Sequence, residues 1–121
     1  MSRRILVVED HEENRRILRI LLTSAGFELI EAETGEDGVR LAESERPDLI
    51  LMDIQLPGLD GYEATRRIKA NPALRPIPLI VVTSYALSGD EIKAREAGCD
   101  AYVTKPFSPR ALLAKIHEYL P

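Results

Sequence analysis

Three carboxylates, one hydroxyl and one ammonium carry most of the chemistry this chain can offer. Glu9 and Asp10 follow the apolar run Ile5-Leu6-Val7-Val8, and Asp53 follows Leu49-Ile50-Leu51-Met52. Thr83 ends the run that starts at Leu79, and Lys105 follows Tyr102-Val103-Thr104. Short apolar runs bounded by turn residues read as buried strands. Each of these groups then sits at the carboxyl end of a strand, the edge where open α/β sheets bind ligands. Taken singly, a strand-end Asp serves equally well as a cap for the loop after it. Together, acids at close range repel, so either one stays protonated or a cation binds among them. Hard oxygen donors in a small site favour Mg2+, with waters and a phosphate completing its shell. Acid, acid, hydroxyl and ammonium in one place suit phosphoryl transfer. A carboxylate attacks phosphorus while the cationic groups neutralise the other oxygens.

The elements that must position these groups alternate strand and helix five times. Strands are expected at Ile5–Val8, Glu28–Ala32, Leu49–Met52, Leu79–Val82 and Ala101–Thr104. In the first helix Ile17, Leu18, Leu21, Leu22 and Ala25 recur at helical spacing, with Gly26 as the stop. Thr34 with Asp37, Asp60 with Glu63, and Ser88-Gly89-Asp90-Glu91 mark the starts of the next three. Ser108 followed by Pro109 opens the fifth, whose buried stripe is Leu112, Leu113, Ile116 and Leu120. Five βα units predict a doubly wound, five-stranded parallel sheet with helices on both faces. The strand order 2-1-3-4-5, a flavodoxin-like (βα)5 architecture, fits best, because an eightfold barrel needs about twice the length. That order makes strands 1 and 3 neighbours and brings Glu9, Asp10 and Asp53 to the switch point.

Composition sets the outer limits. The 121 residues fit one domain, 1–121, with one real core. A net charge of −4 and the lack of a long Lys/Arg run oppose nucleic-acid binding. Arg15, Arg16 and Arg19 form a modest basic patch that reads as a solvated helix face. No apolar run approaches the roughly 18 residues of a membrane helix, and no secretory signal is visible. The single Cys99 rules out an internal disulfide, fits a reducing cytoplasmic setting and reads as a small packing residue. His11 and His117 show no metal-ligand spacing and read as surface residues.

Glu9-Asp10, Leu51-Met52-Asp53-Ile54-Gln55-Leu56-Pro57, the Gly58 and Asp60-Gly61 turn, Thr83, and Tyr102 with Lys105-Pro106-Phe107 resemble the receiver domain of two-component response regulators. The resemblance covers essentially the whole chain. It implies that Asp53 accepts a phosphoryl group from a phosphohistidine on a sensor histidine kinase or histidine phosphotransfer protein. It implies Mg2+ bound directly by Asp10, Asp53 and the backbone carbonyl of Gln55, with Glu9 acting through water. Lys105 pairs with the phosphoryl oxygens, and Thr83 with Tyr102 forms the family's switch. A cis Lys105-Pro106 bond rests on the resemblance alone. The output surface is that of the fourth helix, fifth strand and fifth helix, facing a downstream protein target. Asn14, Arg15 and Leu18 on the first helix are the expected docking residues for the phosphodonor. A homodimer through exposed apolar residues of the first or fourth helix is left open.

Several positions depart from the commoner family pattern. Glu9 is longer than the Asp that many receivers carry, and Ser84 stands where a smaller residue is common. Gln55 and Tyr85 are expected to set the lifetime of the acyl phosphate. A flavodoxin-like electron carrier would need a Ser/Thr/Gly-rich loop after the first strand, where this chain has Glu9-Asp10-His11-Glu12-Glu13. A Mg2+-dependent phosphatase with an Asp nucleophile would need a general acid two residues on, where Gln55 stands. A transcription factor would need a further domain. Met1 and the short ends favour a small single-domain regulator over a receiver excised from a hybrid histidine kinase.

Overall fold

The computed structural model of the chain describes residues 3–83 and 90–121. Its elements are β1 (Arg4–Val8), α1 (Glu12–Ser24), β2 (Glu28–Ala32), α2 (Gly35–Glu45) and β3 (Leu49–Met52). They continue with α3 (Gly61–Ala70), β4 (Leu79–Thr83), α4 (Asp90–Ala97), β5 (Ala101–Thr104) and α5 (Pro109–Tyr119). All five strands are parallel, in the order β2-β1-β3-β4-β5. The expected architecture is therefore the observed one. The sheet is central, so β3 and β4 are buried along their whole length and cannot alternate polar with apolar residues.

Two apolar layers sandwich the sheet. One holds Leu6, Val8, Ile50, Met52 and Val81 against α2, α3 and α4 residues such as Ala42, Ile68 and Ala94. The other holds Ile5, Val7, Leu51 and Ile80 against Leu18 and Leu22 of α1 and Leu112 and Ile116 of α5. Alternate residues of one strand feed opposite layers because strand side chains alternate faces. In-register pairing of Val8 with Met52 brings the ends of β1 and β3 level, so Glu9, Asp10 and Asp53 emerge together.

The caps read from the sequence hold where they are described. Thr34 accepts from the Asp37 N–H, Asp60 from that of Glu63, and Ser108 from that of Ala111. Each satisfies one of the helix's otherwise unpaired N-terminal donors, worth about 1 kcal/mol. The Ser88-Gly89 portion of the α4 capping pattern lies outside the described residues, as do Ser84 and Tyr85. The α1 stripe needs correction. Leu18 and Leu22 are buried, but Ile17 is 54% exposed and Ala25 is exposed too. Helical spacing alone admits a stripe wider than the face that the sheet can cover. Cys99 is buried, as a packing residue should be, and burial raises its thiol pKa.

Candidate functional site

The site sits where the carboxyl ends of β1, β3 and β5 converge. The β1 end is fixed by the Glu9 N–H donating to the Ala32 carbonyl at 3.0 Å. The β3 end is fixed by the Asp53 N–H donating to the Val8 carbonyl, also at 3.0 Å. The Lys105 N–H donates to the Thr83 carbonyl at 2.7 Å, which ties the β5 exit to β4. Lys105 precedes Pro106 through a cis peptide bond, as the family resemblance implied. The loop beyond Asp53 closes tightly: Gly58 takes a positive φ of 71°, and the Gly61 N–H donates to the Ile54 carbonyl at 2.9 Å. A Cβ at Gly61 would overlap the backbone of Asp53 and Ile54. This close approach explains the glycine at the head of α3 and makes it part of the site's support.

Two buried acids share one ammonium here. Glu9 is 2% exposed and its Oε1 accepts from Lys105 Nζ at 2.6 Å. Asp53 is 8% exposed, and its Oδ2 lies 3.5 Å from the same Nζ. The other Asp53 oxygen, Oδ1, accepts from the Ile54 N–H at 2.7 Å. The family resemblance implies that Lys105 pairs with phosphoryl oxygens; in the structure its ammonium donates to Glu9. Asp10 is more open, but its Oδ1 is buried and has no hydrogen-bond donor in proper geometry. His11 Nδ1 is 3.2 Å from that oxygen and 3.4 Å from Glu9 Oε2.

The two buried acids titrate in opposite directions. Burial raises Asp53, and repulsion from Glu9 adds to it, so its pKa climbs from 3.8 to about 6 even though Lys105 pulls it down. Burial also pushes Glu9 up, but the Lys105 hydrogen bond, the His11 N–H and the Lys105 charge outweigh it, and Glu9 ends below its ordinary value. The ammonium thus settles on Glu9 and leaves Asp53 as the under-compensated acid.

The buried, undonated Asp10 oxygen beside two buried carboxylates is what a hard divalent cation requires, so the donor set fits Mg2+. Glu9, Asp10 and His11 each present a donor atom within 4.8 Å of the others. His11 is exposed, as its reading as a surface residue expects, and three consecutive residues match no familiar ligand spacing. Only the sharp exit from β1 turns the imidazole back toward the acids. Thr83 is fully buried at the end of β4, and Tyr102 is half-buried on β5 against the same core layer. Gln55 is exposed in the loop after Asp53.

The docking residues read on α1 are only partly on its surface. Leu18 is 4% exposed and belongs to the core; Arg15 is 7% exposed. Arg15 Nη1 donates to the Glu9 carbonyl at 2.8 Å, and its guanidinium also meets Glu12, Glu31 and Glu33. It braces the turn that carries the acids and is not part of a solvated basic face. A groove of about 430 Å³ runs beside it, lined by Asn14, Ile17, Leu18, Pro106, Phe107 and Pro109 next to Lys105. Leu18 is its floor and Ile17 its exposed wall.

A (βα)5 sheet with an acidic cleft at its switch point, flanked by a strand-end Lys, is a doubly wound fold whose ligand-binding edge carries that cleft. The sequence model described as the response regulator receiver domain matches residues 5–117. The polar-differentiation response regulator DivK of Brucella anthropi is 43% identical over 120 residues, covering 99% of this chain and 98% of that protein. The receiver domain of sensor histidine kinase PA1611 from Pseudomonas aeruginosa, solved with a magnesium ion in its active-site cleft, superposes with a TM-score of 0.93. It is 38% identical, and the match covers 99% of this chain and 98% of that one. A CheY-like receiver domain protein from Methanospirillum hungatei is 36% identical, with a TM-score of 0.90 and coverage of 99% and 94%. The chain belongs to the response regulator receiver family of two-component systems. Among the described residues, no helix is long and apolar enough to cross a membrane.

Proposed function

We propose that Asp53 is the phosphoacceptor of a single receiver domain spanning residues 1–121, in a cytoplasmic two-component or phosphorelay pathway. The observation that carries this reading is the geometry of Asp53 itself. One oxygen is pinned by the Ile54 N–H and the other faces Lys105. Oδ2 attacks phosphorus, the N–P bond of the donor phosphohistidine breaks, and the imidazole leaves with the electron pair. Lys105 supplies positive charge to the transferred group, and Thr83 donates to one of its oxygens. Asp10, Asp53 and the Gln55 carbonyl would hold Mg2+, with Glu9 acting through water. When bound, that ion screens the charge of the acids and of the phosphoryl oxygens. The chain's chemistry is limited to taking and losing this one group, with Gln55 and Tyr85 setting its lifetime.

A phosphoryl group brings up to about two negative charges and three strong acceptors. It draws Lys105 and Thr83 toward itself, and Lys105 must loosen its 2.6 Å contact with Glu9 to respond. Thr83 and Tyr102 pass the change to the α4-β5-α5 surface, where Ile92 is 65% exposed and available to a downstream protein. The phosphodonor, a sensor kinase or histidine phosphotransfer protein, docks on α1 through Asn14 and Ile17, over the Leu18 floor. Exposed Ile17, Ile20 and Ile92 also suit a homodimer, which light scattering would test. The deciding experiment treats the protein with a small phosphodonor and Mg2+ and locates the added mass. Labelling confined to Asp53 and absent in Asp53→Asn supports the assignment. Unchanged labelling in that variant overturns it.

A further inference from the structure

His11 stands at this end of the sheet, beside the acids, and phosphoryl transfer leaves it without a task. Its side chain is 69% exposed, yet Nδ1 lies 3.2 Å from Asp10 Oδ1 and 3.4 Å from Glu9 Oε2. Neighbouring ligands of an octahedral ion, bound at about 2.1 Å, sit roughly 3.0 Å apart. The His11 nitrogen therefore already stands near that spacing from both acids, and all three donor atoms lie within 4.8 Å of one another.

Separate constraints present each donor. Lys105 occupies Glu9 Oε1, which leaves Oε2 on the His11 side. The backbone N–H of His11 donates to that Oε2 at 3.1 Å and holds the turn closed. Asp10 Oδ1 is buried and receives no hydrogen bond. A buried oxygen in that state takes a cation or a donor. Carboxylate oxygens alone suit Mg2+, whereas an imidazole nitrogen suits Zn2+ and other late first-row ions.

We propose that His11 is an additional ligand of this cleft, through which the Glu9-Asp10-His11 turn binds Zn2+ in competition with Mg2+. The proposal rests on the reading of the cleft as a divalent-cation site. Zn2+ uses the Glu9, Asp10 and His11 donors; Mg2+ uses the oxygens and gains nothing from the imidazole.

The test measures Zn2+ and Mg2+ affinities of the whole chain by calorimetry, for the wild type and for His11→Asn. Imidazole NMR signals are followed in parallel, with His117 as the internal control. Expected are a 10- to 100-fold loss of Zn2+ affinity in the variant, with Mg2+ affinity within about twofold, and a His11 shift with Zn2+ that Mg2+ does not produce. An unchanged Zn2+ affinity, or a His11 signal that Zn2+ leaves in place, overturns the proposal. Equal losses for both ions overturn it too, since they report a disturbed turn. If the wild type binds neither ion, the cation reading of the cleft fails along with it.

Discussion

Two clusters of ionised side chains meet at the Glu9 backbone, and they are built differently. On the α1–β2 side, Arg15 and Arg19 serve Glu12, Glu31 and Glu33. Arg19 grips Glu31 with two 2.8 Å hydrogen bonds, and every carboxylate there meets a guanidinium. On the cleft side, Glu9 and Asp53 share the ammonium of Lys105, which favours Glu9 over Asp53 by 2.6 Å against 3.5 Å, and Asp10 pairs with His11. The first cluster is complete and acts as a strut. In the second, burial and then repulsion from Glu9 raise Asp53 beyond what Lys105 offsets, and an Asp10 oxygen is left without a donor. A polar cluster that satisfies itself needs no ligand, whereas one that does not is poised to take a cation or an electrophile.

Arg15→Ala tests the strut most severely. It leaves the buried Glu9 carbonyl without its donor and should cost about 2–3 kcal/mol in urea unfolding. The same variant should weaken Mg2+ binding, because the turn that carries Glu9 and Asp10 loses its brace. If stability and Mg2+ binding both stay at wild-type values, the strut assignment is wrong.

Asp53→Asn should act in the opposite direction. Asp53 has an ordinary pKa of 3.8 when unfolded and about 6 when folded, so the folded protein takes up the proton first. Stability from this group is therefore greatest below pH 4 and is lost as pH rises through 6. The Asn variant should be more stable than the wild type at pH 7 without metal, by up to about 3 kcal/mol. The advantage should vanish below pH 4. A variant less stable at pH 7 would falsify the picture of an under-compensated acid.

Lys105→Ala sharpens the cleft side further. Lys105 is the charge that lowers both acids, so its removal should carry the Asp53 titration above 6 and lift Glu9 as well. Carboxyl carbon NMR across a pH series reads both. The smallest effect should come from Arg19→Ala, because its partners are part-exposed and solvent screens such pairs. A loss as large as that of Arg15 would make the two arginines equal members of the strut, against the burial that separates them.

Much of this was legible in the chain itself. The runs ending at Val8 and Met52, and the alternation with helices, prescribe a parallel sheet because an uninterrupted apolar strand must be covered on both faces. The motif residues Glu9, Asp10, Asp53, Thr83 and Lys105 were legible because each stands at or just beyond the carboxyl end of a strand. Caps at Thr34, Asp60 and Ser108 were legible because their hydrogen bonds span only three residues. Arg15, read as part of a solvated basic patch, is buried, and Ile17, read in the apolar stripe, is exposed, because helical spacing does not fix how wide a face the sheet covers. The approach of His11 to Glu9 and Asp10 was not legible because it depends on the direction of one turn.

The sequence by itself determined the fold class, the order of the elements and the acids that meet at the switch point, since these follow from local pattern and from short-range chemistry. Only the tertiary structure decided which acid the ammonium of Lys105 holds, which arginine is buried and where the imidazole of His11 stands. Those outcomes depend on distances between groups as far apart in the chain as Glu9 and Lys105, and electrostatic energies change steeply over the ångström or so that packing sets.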